Sequence, residues 1–235
     1  MPDYKRTERP PLDSQIEHIA VTFVLDVSGS MNEMTSQGKS SIQLLNNGLN
    51  DLIEALGNSV KHKNIVDLSI IAFGEPGKEE VYQPFAPVCQ IGTPISLVAN
   101  HSSTYASKAL DMAIENTRER VKAYRGGMWK PWVVFMTDGH LHDDISEVAA
   151  RSRQREAEGK LRTFAIGIGD DFDGAQLKLL TDKAYALAGY KVEEFLSWVG
   201  NSIGVVSESA ANAQVELPSN QDPNNPGQVI FSPVI

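Results

Sequence analysis

The chain has 235 residues, with 21 Lys and Arg against 30 Asp and Glu, a net charge of −9. That balance argues against a basic face that tracks a phosphate backbone, so nucleic acid is not expected as the main partner. Hydrophobic residues make up 41% and charged residues 22%, which allows one large α/β domain to bury a core without metal or disulfide help. No apolar run approaches the length of a bilayer span, so no membrane partner is expected.

Residues 1–15 carry Pro2, Pro10 and Pro11 among polar residues and read as a flexible lead-in. The charged start Met1–Arg6 has no apolar segment behind it, so no secretory leader is expected. Ile19–Leu25 is a continuous apolar run and predicts the first strand. A helix is predicted near 40–56 from Ile42, Leu45, Leu49, Leu52, Ile53 and Leu56, with Gly57 as its stop. Asp67–Phe73 predicts a second strand, and Val81–Phe85 a short edge strand, since Pro84 cannot donate to a ladder.

Cys89 is the one cysteine; it excludes an intrachain disulfide, favours a reducing compartment such as the cytoplasm, and reads as a small packing residue. A helix from about 105 to 123 follows. Trp132–Met136 is an unbroken apolar strand of the kind covered on both faces. Then come a helix near 144–158 ended by Gly159, a strand over 163–168, a short helix near 174–182, a small strand near 184–187, and a last helix over 192–208. This alternation predicts an α/β fold, a doubly wound, mostly parallel central sheet with helices on both faces and one antiparallel edge strand. From 211 to 235 the composition turns to Pro, Asn, Ser and Gly, and a disordered tail is expected, with Val229–Phe231 as a possible docking segment. The domain proper is therefore placed at 16–210.

The chemistry concentrates where strands end. Asp26, Ser28 and Ser30 follow the first strand, Asp138 follows Trp132–Met136, and Thr104 precedes a helix. In an open parallel sheet, such residues meet in the crevice beyond the carboxyl ends of the strands. Two carboxylates and three hydroxyls form a set of hard oxygen donors suited to Mg²⁺, with Mn²⁺ or Ca²⁺ as substitutes. Neutral hydroxyls add no negative charge, so a bound cation keeps net positive character and attracts an external carboxylate. Gly29 lets the turn run close to the ion.

Asp26-Val27-Ser28-Gly29-Ser30, Thr104-Tyr105-Ala106-Ser107-Lys108-Ala109-Leu110 and Thr137-Asp138-Gly139 together resemble the metal-ion-dependent adhesion site of von Willebrand factor A domains. The resemblance covers about residues 18–209. It implies a Rossmann-like fold, hydroxyl ligation by Ser28, Ser30 and Thr104, carboxylates at Asp26 and Asp138 that often act through water, and a protein partner that donates Glu or Asp. His101-Ser102-Ser103 stands where the family usually has glycines. Within the family, Trp129-Lys130-Pro131 ahead of the strand and Phe195…Trp198…Ser202-Ile203 resemble the bacterial cytoplasmic TerY-like branch, named for tellurite resistance. That branch implies a stress-response setting with a protein kinase or PP2C-type phosphatase as partner. His140-Leu141-His142-Asp143-Asp144 departs from the branch's usual Glu-Pro-Thr-Asp-Asp.

The reading is thus a binding module and no enzyme. A haloacid-dehalogenase-type phosphatase needs a second acid two residues after the first, and Ser28 stands there. Neither serine lies in a Gly-x-Ser-x-Gly elbow. A metal-assisted phosphohydrolase would need His140 as a base, and a phosphoregulated adaptor would use Ser36, Ser40, Ser41, Ser102, Ser103 or Thr104. Gly167-Ile168-Gly169 lacks the third glycine of a dinucleotide site, and Asp170–Gly174 reads as an acidic helix cap.

Overall fold

The computed structural model describes residues 16–124, 128–209, 215–225 and 227–234. One seven-stranded sheet has the order β3-β2-β1-β4-β5-β6-β7. Its strands are β1 (Ile19–Asp26), β2 (Val66–Phe73), β3 (Glu80–Pro87), β4 (Trp132–Thr137), β5 (Arg162–Gly167), β6 (Ala184–Leu187) and β7 (Phe231–Pro233). β1 pairs in parallel with β2 and β4, and β4, β5 and β6 continue in parallel. Both outer strands, β3 and β7, run antiparallel to their neighbours. The helices are α1 (Ser41–Asn58), α2 (Ser107–Ala123), α3 (Ser146–Ala157), α4 (Gly174–Leu180) and α5 (Val192–Ser207).

The central strands are apolar on both faces because both faces are covered. Phe23 and Leu25 of β1 face α1 and α5, while Val24 faces α2 and α3. Thr22, buried on that second face, satisfies its hydroxyl on Thr117 of α2 at 2.8 Å. α1 and α5 lie close together on the first face. A Cβ on Gly48 would stand 2.7 Å from Leu196 Cδ1, and one on Gly200 2.9 Å from Leu52 Cδ1. Those two glycines permit the approach.

Three expectations are corrected. The tail after 211 is not disordered in its described part: Phe231–Pro233 forms β7, which adds a second antiparallel edge, and Phe231 packs against Tyr185, Phe195 and Trp198. Trp198 Nε1 donates to the Pro218 carbonyl at 3.0 Å, and Lys191 Nζ to Asp222 at 2.6 Å, so the polar stretch is pinned at its start and at its middle. Cys89 is exposed and donates to Asn64 Oδ1; it is not a packing residue. α2 begins at Ser107 and not at 105, because the Asp143 carboxylate accepts from the N–H groups of Ala106 and Ser107 at 2.9 and 2.7 Å. The expected lead-in, 1–15, lies outside the described residues.

Candidate metal centre

The sheet's topology reverses at β1, whose two neighbours β2 and β4 lie on opposite sides. The crevice at this switch point opens beyond Asp26 and Thr137, the last residues of β1 and β4. Asp26 is fully buried. Its Oδ1 accepts from the Ser28 N–H at 2.8 Å, and its Oδ2 from the Thr137 hydroxyl at 2.6 Å. The turn carries on to Ser30, whose Oγ stands 3.0 Å from Ser28 Oγ and donates to Asp138 Oδ1 at 2.7 Å.

Four of the five expected residues are therefore joined by direct hydrogen bonds or by one shared neighbour. Thr104 is buried, and its loop is held by its backbone. Its N–H donates to His142 Nδ1 at 3.1 Å, and its carbonyl accepts from the His142 N–H at 2.9 Å. Among the described residues its hydroxyl makes no hydrogen bond to the other four. The preceding His101 exchanges main-chain bonds with the β1 turn: its N–H donates to Val27 O at 3.2 Å and its carbonyl accepts from the Gly29 N–H at 2.7 Å. Tyr105 N–H donates to Gly74 O, at the end of β2. Three loops are thus laced together around one crevice.

Burial raises both carboxylates above their ordinary range. For Asp26, loss of water outweighs the hydrogen bonds from Thr137 and Ser28. Asp138 is pushed up to about 6, by burial first and then by the charges of Asp26 and Glu33, against the bond from Ser30. Among the described residues no Lys or Arg pairs with either one. Two partly desolvated acids, supported by hydroxyls and amides and, for Asp26, by the nearby His101, form a donor set that a small hard cation fits, because a cation between them would offset both charges at once.

The rejected chemistry also finds its place. His140 is exposed, with Nδ1 4.0 Å from Asp173 Oδ2, and has no contact with Asp26 or Asp138 among the described residues. Asp173 caps α4, accepting from Ala175 and Gln176 N–H, which is the cap read from the sequence. Of the serines near the crevice, Ser40 and Ser41 are buried, whereas Ser36 and Ser102 are exposed.

Sequence reasoning missed the residues that carry the Thr104 loop. Residues 95–101 run extended along α1. Asn50 clamps Ile95 through both its N–H and C=O, at 2.7 and 2.9 Å, and Asn46 clamps Leu97 in the same way at 2.8 and 2.9 Å. Asn32 donates to the Ala99 carbonyl. These carboxamides replace the main chain of an absent neighbouring strand. The available signal was two Asn four apart inside a helix, where Asn is a poor helix former and a tertiary role is the usual reason for it.

The order of the strands and the oxygen-lined switch point define a doubly wound α/β domain with a candidate cation site. A family model described as von Willebrand factor type A domain matches residues 20–199, and the chain belongs to that family. Among solved structures it resembles proximal thread matrix protein 1 from the mussel byssus, with a zinc-occupied MIDAS motif. The two are 17% identical over 79% of this chain and 48% of that one, with a TM-score of 0.55. It also resembles the pilus adhesin SpaC from Lactobacillus rhamnosus GG (15% identity, 80% and 31% covered, TM-score 0.59). A von Willebrand factor type A structure from Catenulispora acidiphila gives 17% identity, 80% and 43% covered, and a TM-score of 0.57. The chain spans less than half the length of each, and at these identities the likeness is one of fold. A search of curated proteins gave no match. No helix among the described residues is long and apolar enough to cross a membrane.

Proposed function

We propose that Asp26, Ser28, Ser30, Thr104 and Asp138 hold a divalent cation, Mg²⁺ in the cell, and that the site captures a Glu or Asp side chain of a protein partner. The observation that carries this reading is a buried and a half-buried carboxylate with hydroxyl and amide partners and, among the described residues, no Lys or Arg paired with either. Bound there, the cation supplies a Lewis-acidic position for an outside carboxylate oxygen. The chain's own part is to fix the donors. Thr137 and the Ser28 N–H orient Asp26, Ser30 orients Asp138, and His142 with the His101 main chain fixes the Thr104 loop. The zinc-occupied motif named for the byssal protein supports a metal at the corresponding fold position and leaves the choice of ion to titration.

Trp129, Trp198 and the Ser202-Ile203 pair support placement in the TerY-like branch. On that resemblance the partner is a protein kinase or PP2C-type phosphatase of a bacterial, cytoplasmic stress-response system tied to tellurium resistance. Isothermal titration with Mg²⁺ and Mn²⁺ tests the cation. Wild type is expected to give saturable heat and Asp26→Ala none; equal behaviour of the two would overturn the site. Affinity capture in Mg²⁺ and in EDTA, with wild type beside Asp26→Ala, tests the partner. A kinase or phosphatase retained only by wild type in metal is expected, and identical retention in every arm would refute capture through the ion.

A further inference from the structure

Residues 95–101 have two edges, and only one is used. Ile95, Leu97 and His101 turn their N–H and C=O groups toward Asn50, Asn46 and the β1 turn. In an extended chain the alternate residues must turn theirs the other way. On that second side, Tyr82 Oη caps the Ser96 N–H at 3.1 Å, and Glu75 Oε1 accepts from the Ser102 N–H at 3.0 Å. Between these stops, no hydrogen bond among the described residues reaches the N–H or C=O of Val98 or Asn100. Side chains alternate as strictly: Ile95, Leu97 and Ala99 are buried, Ser96, Val98 and Asn100 exposed, with Val98 64% exposed. The stretch is held on one edge by side-chain amides and, between Ser96 and Ser102, is unpaired on the other.

We propose that this open edge receives an extended segment of the protein partner by main-chain pairing, and that the same segment carries the acidic residue into the crevice. The inference rests on the proposed function and names the shape of its ligand. Two features select this occupant. Unpaired N–H and C=O groups in strand geometry are complementary to an extended backbone and to no helix. The edge also leads toward the crevice along the chain, since Asn100 lies four residues before Thr104, one of the proposed cation ligands. Exposed Val98 offers an apolar cross-strand contact, so a β-branched or aromatic residue is expected near the partner's acid. The gap between Tyr82 and Glu75 limits the pairing to a few residues, which suits a reversible adaptor.

The test uses the full chain, Mn²⁺ and two probes: the blocked peptide Lys-Val-Thr-Val-Asp-Val-Thr and N-acetyl-aspartate methylamide. The peptide is expected to bind at least about tenfold more tightly, the worth of one or two net hydrogen bonds. Methylating alternate peptide nitrogens should remove that advantage. Val98→Pro deletes an N–H the fold does not use, and should remove it too while leaving Mn²⁺ titration and thermal unfolding unchanged. Amide exchange at Val98 and Asn100 should slow when peptide binds. Equal affinity for the two probes, or an advantage that survives both peptide methylation and Val98→Pro, would overturn the inference. Peptide binding that persists in EDTA yet fails in Val98→Pro would uphold the open edge and overturn the cation reading. Mn²⁺ binding with no affinity for either probe would overturn both the carboxylate reading and this one.

Discussion

Asp138→Asn should stabilise the metal-free protein while it weakens cation binding. The side chain keeps its shape, and an amide oxygen can still accept from Ser30, so the change is one of charge. Asp138 has its pKa raised from 3.8 to about 6 by burial and by Asp26 and Glu33. At about 1.4 kcal/mol for each unit, the ionised form costs up to about 3 kcal/mol in the folded state. Partial exposure and screening reduce that to about 1–2 kcal/mol. For a domain of this size the gain corresponds to about 2–8 °C in Tm. The sign of the pH dependence follows. An acid with a raised folded-state pKa contributes stability that is complete below 3.8 and lost as pH rises through about 6. The variant's advantage, measured by thermal unfolding in EDTA, should therefore be full at pH 7.5 and vanish by about pH 4. Saturating Mg²⁺ should reverse the order, adding about 2.7 kcal/mol to wild type at a hundredfold excess over Kd and little to the variant. A variant no more stable than wild type at pH 7.5 in EDTA would refute the view that these carboxylates are held against their own repulsion and desolvation.

Phe231→Ala removes a ring buried against Tyr185, Phe195 and Trp198, and should cost about 3 kcal/mol in urea unfolding; a cost near zero would mean β7 is dispensable. Arg120→Met leaves Asp67, fully buried on β2, without its guanidinium partner 3.2 Å away, and should cost about 3–5 kcal/mol, with most of the loss recovered when Asp67→Asn is added. The Lys191 ammonium and the Asn225 amide hold the Asp222 carboxyl down to about 2. Because that pKa is depressed, the contribution of the pair is present above 3.8 and lost as pH falls through about 2, so amide exchange in 219–229 should accelerate selectively in that window.

What the sequence determined by itself rests on local pattern. Ile19–Leu25 and Trp132–Met136 are apolar at every position, and such runs fit only strands covered on both faces, so the doubly wound order followed. Asp26, Ser28, Ser30 and Asp138 were legible because each directly follows such a strand, and strand ends at a switch point converge whatever the rest of the chain does. Tertiary structure decided the remainder. Phe231 finds its place through Tyr185, Phe195 and Trp198, all more than thirty residues away, and no local period announces those contacts. The start of α2 depends on Asp143, which is distant in sequence and enters from the β4 loop. Residues 95–101 are held along α1 because Asn46 and Asn50, on that helix, supply the hydrogen bonds a neighbouring strand would have given. Periodicity records which side of an element is buried; it carries no record of which distant group satisfies a backbone amide, and the course of residues 95–101 was decided at that level.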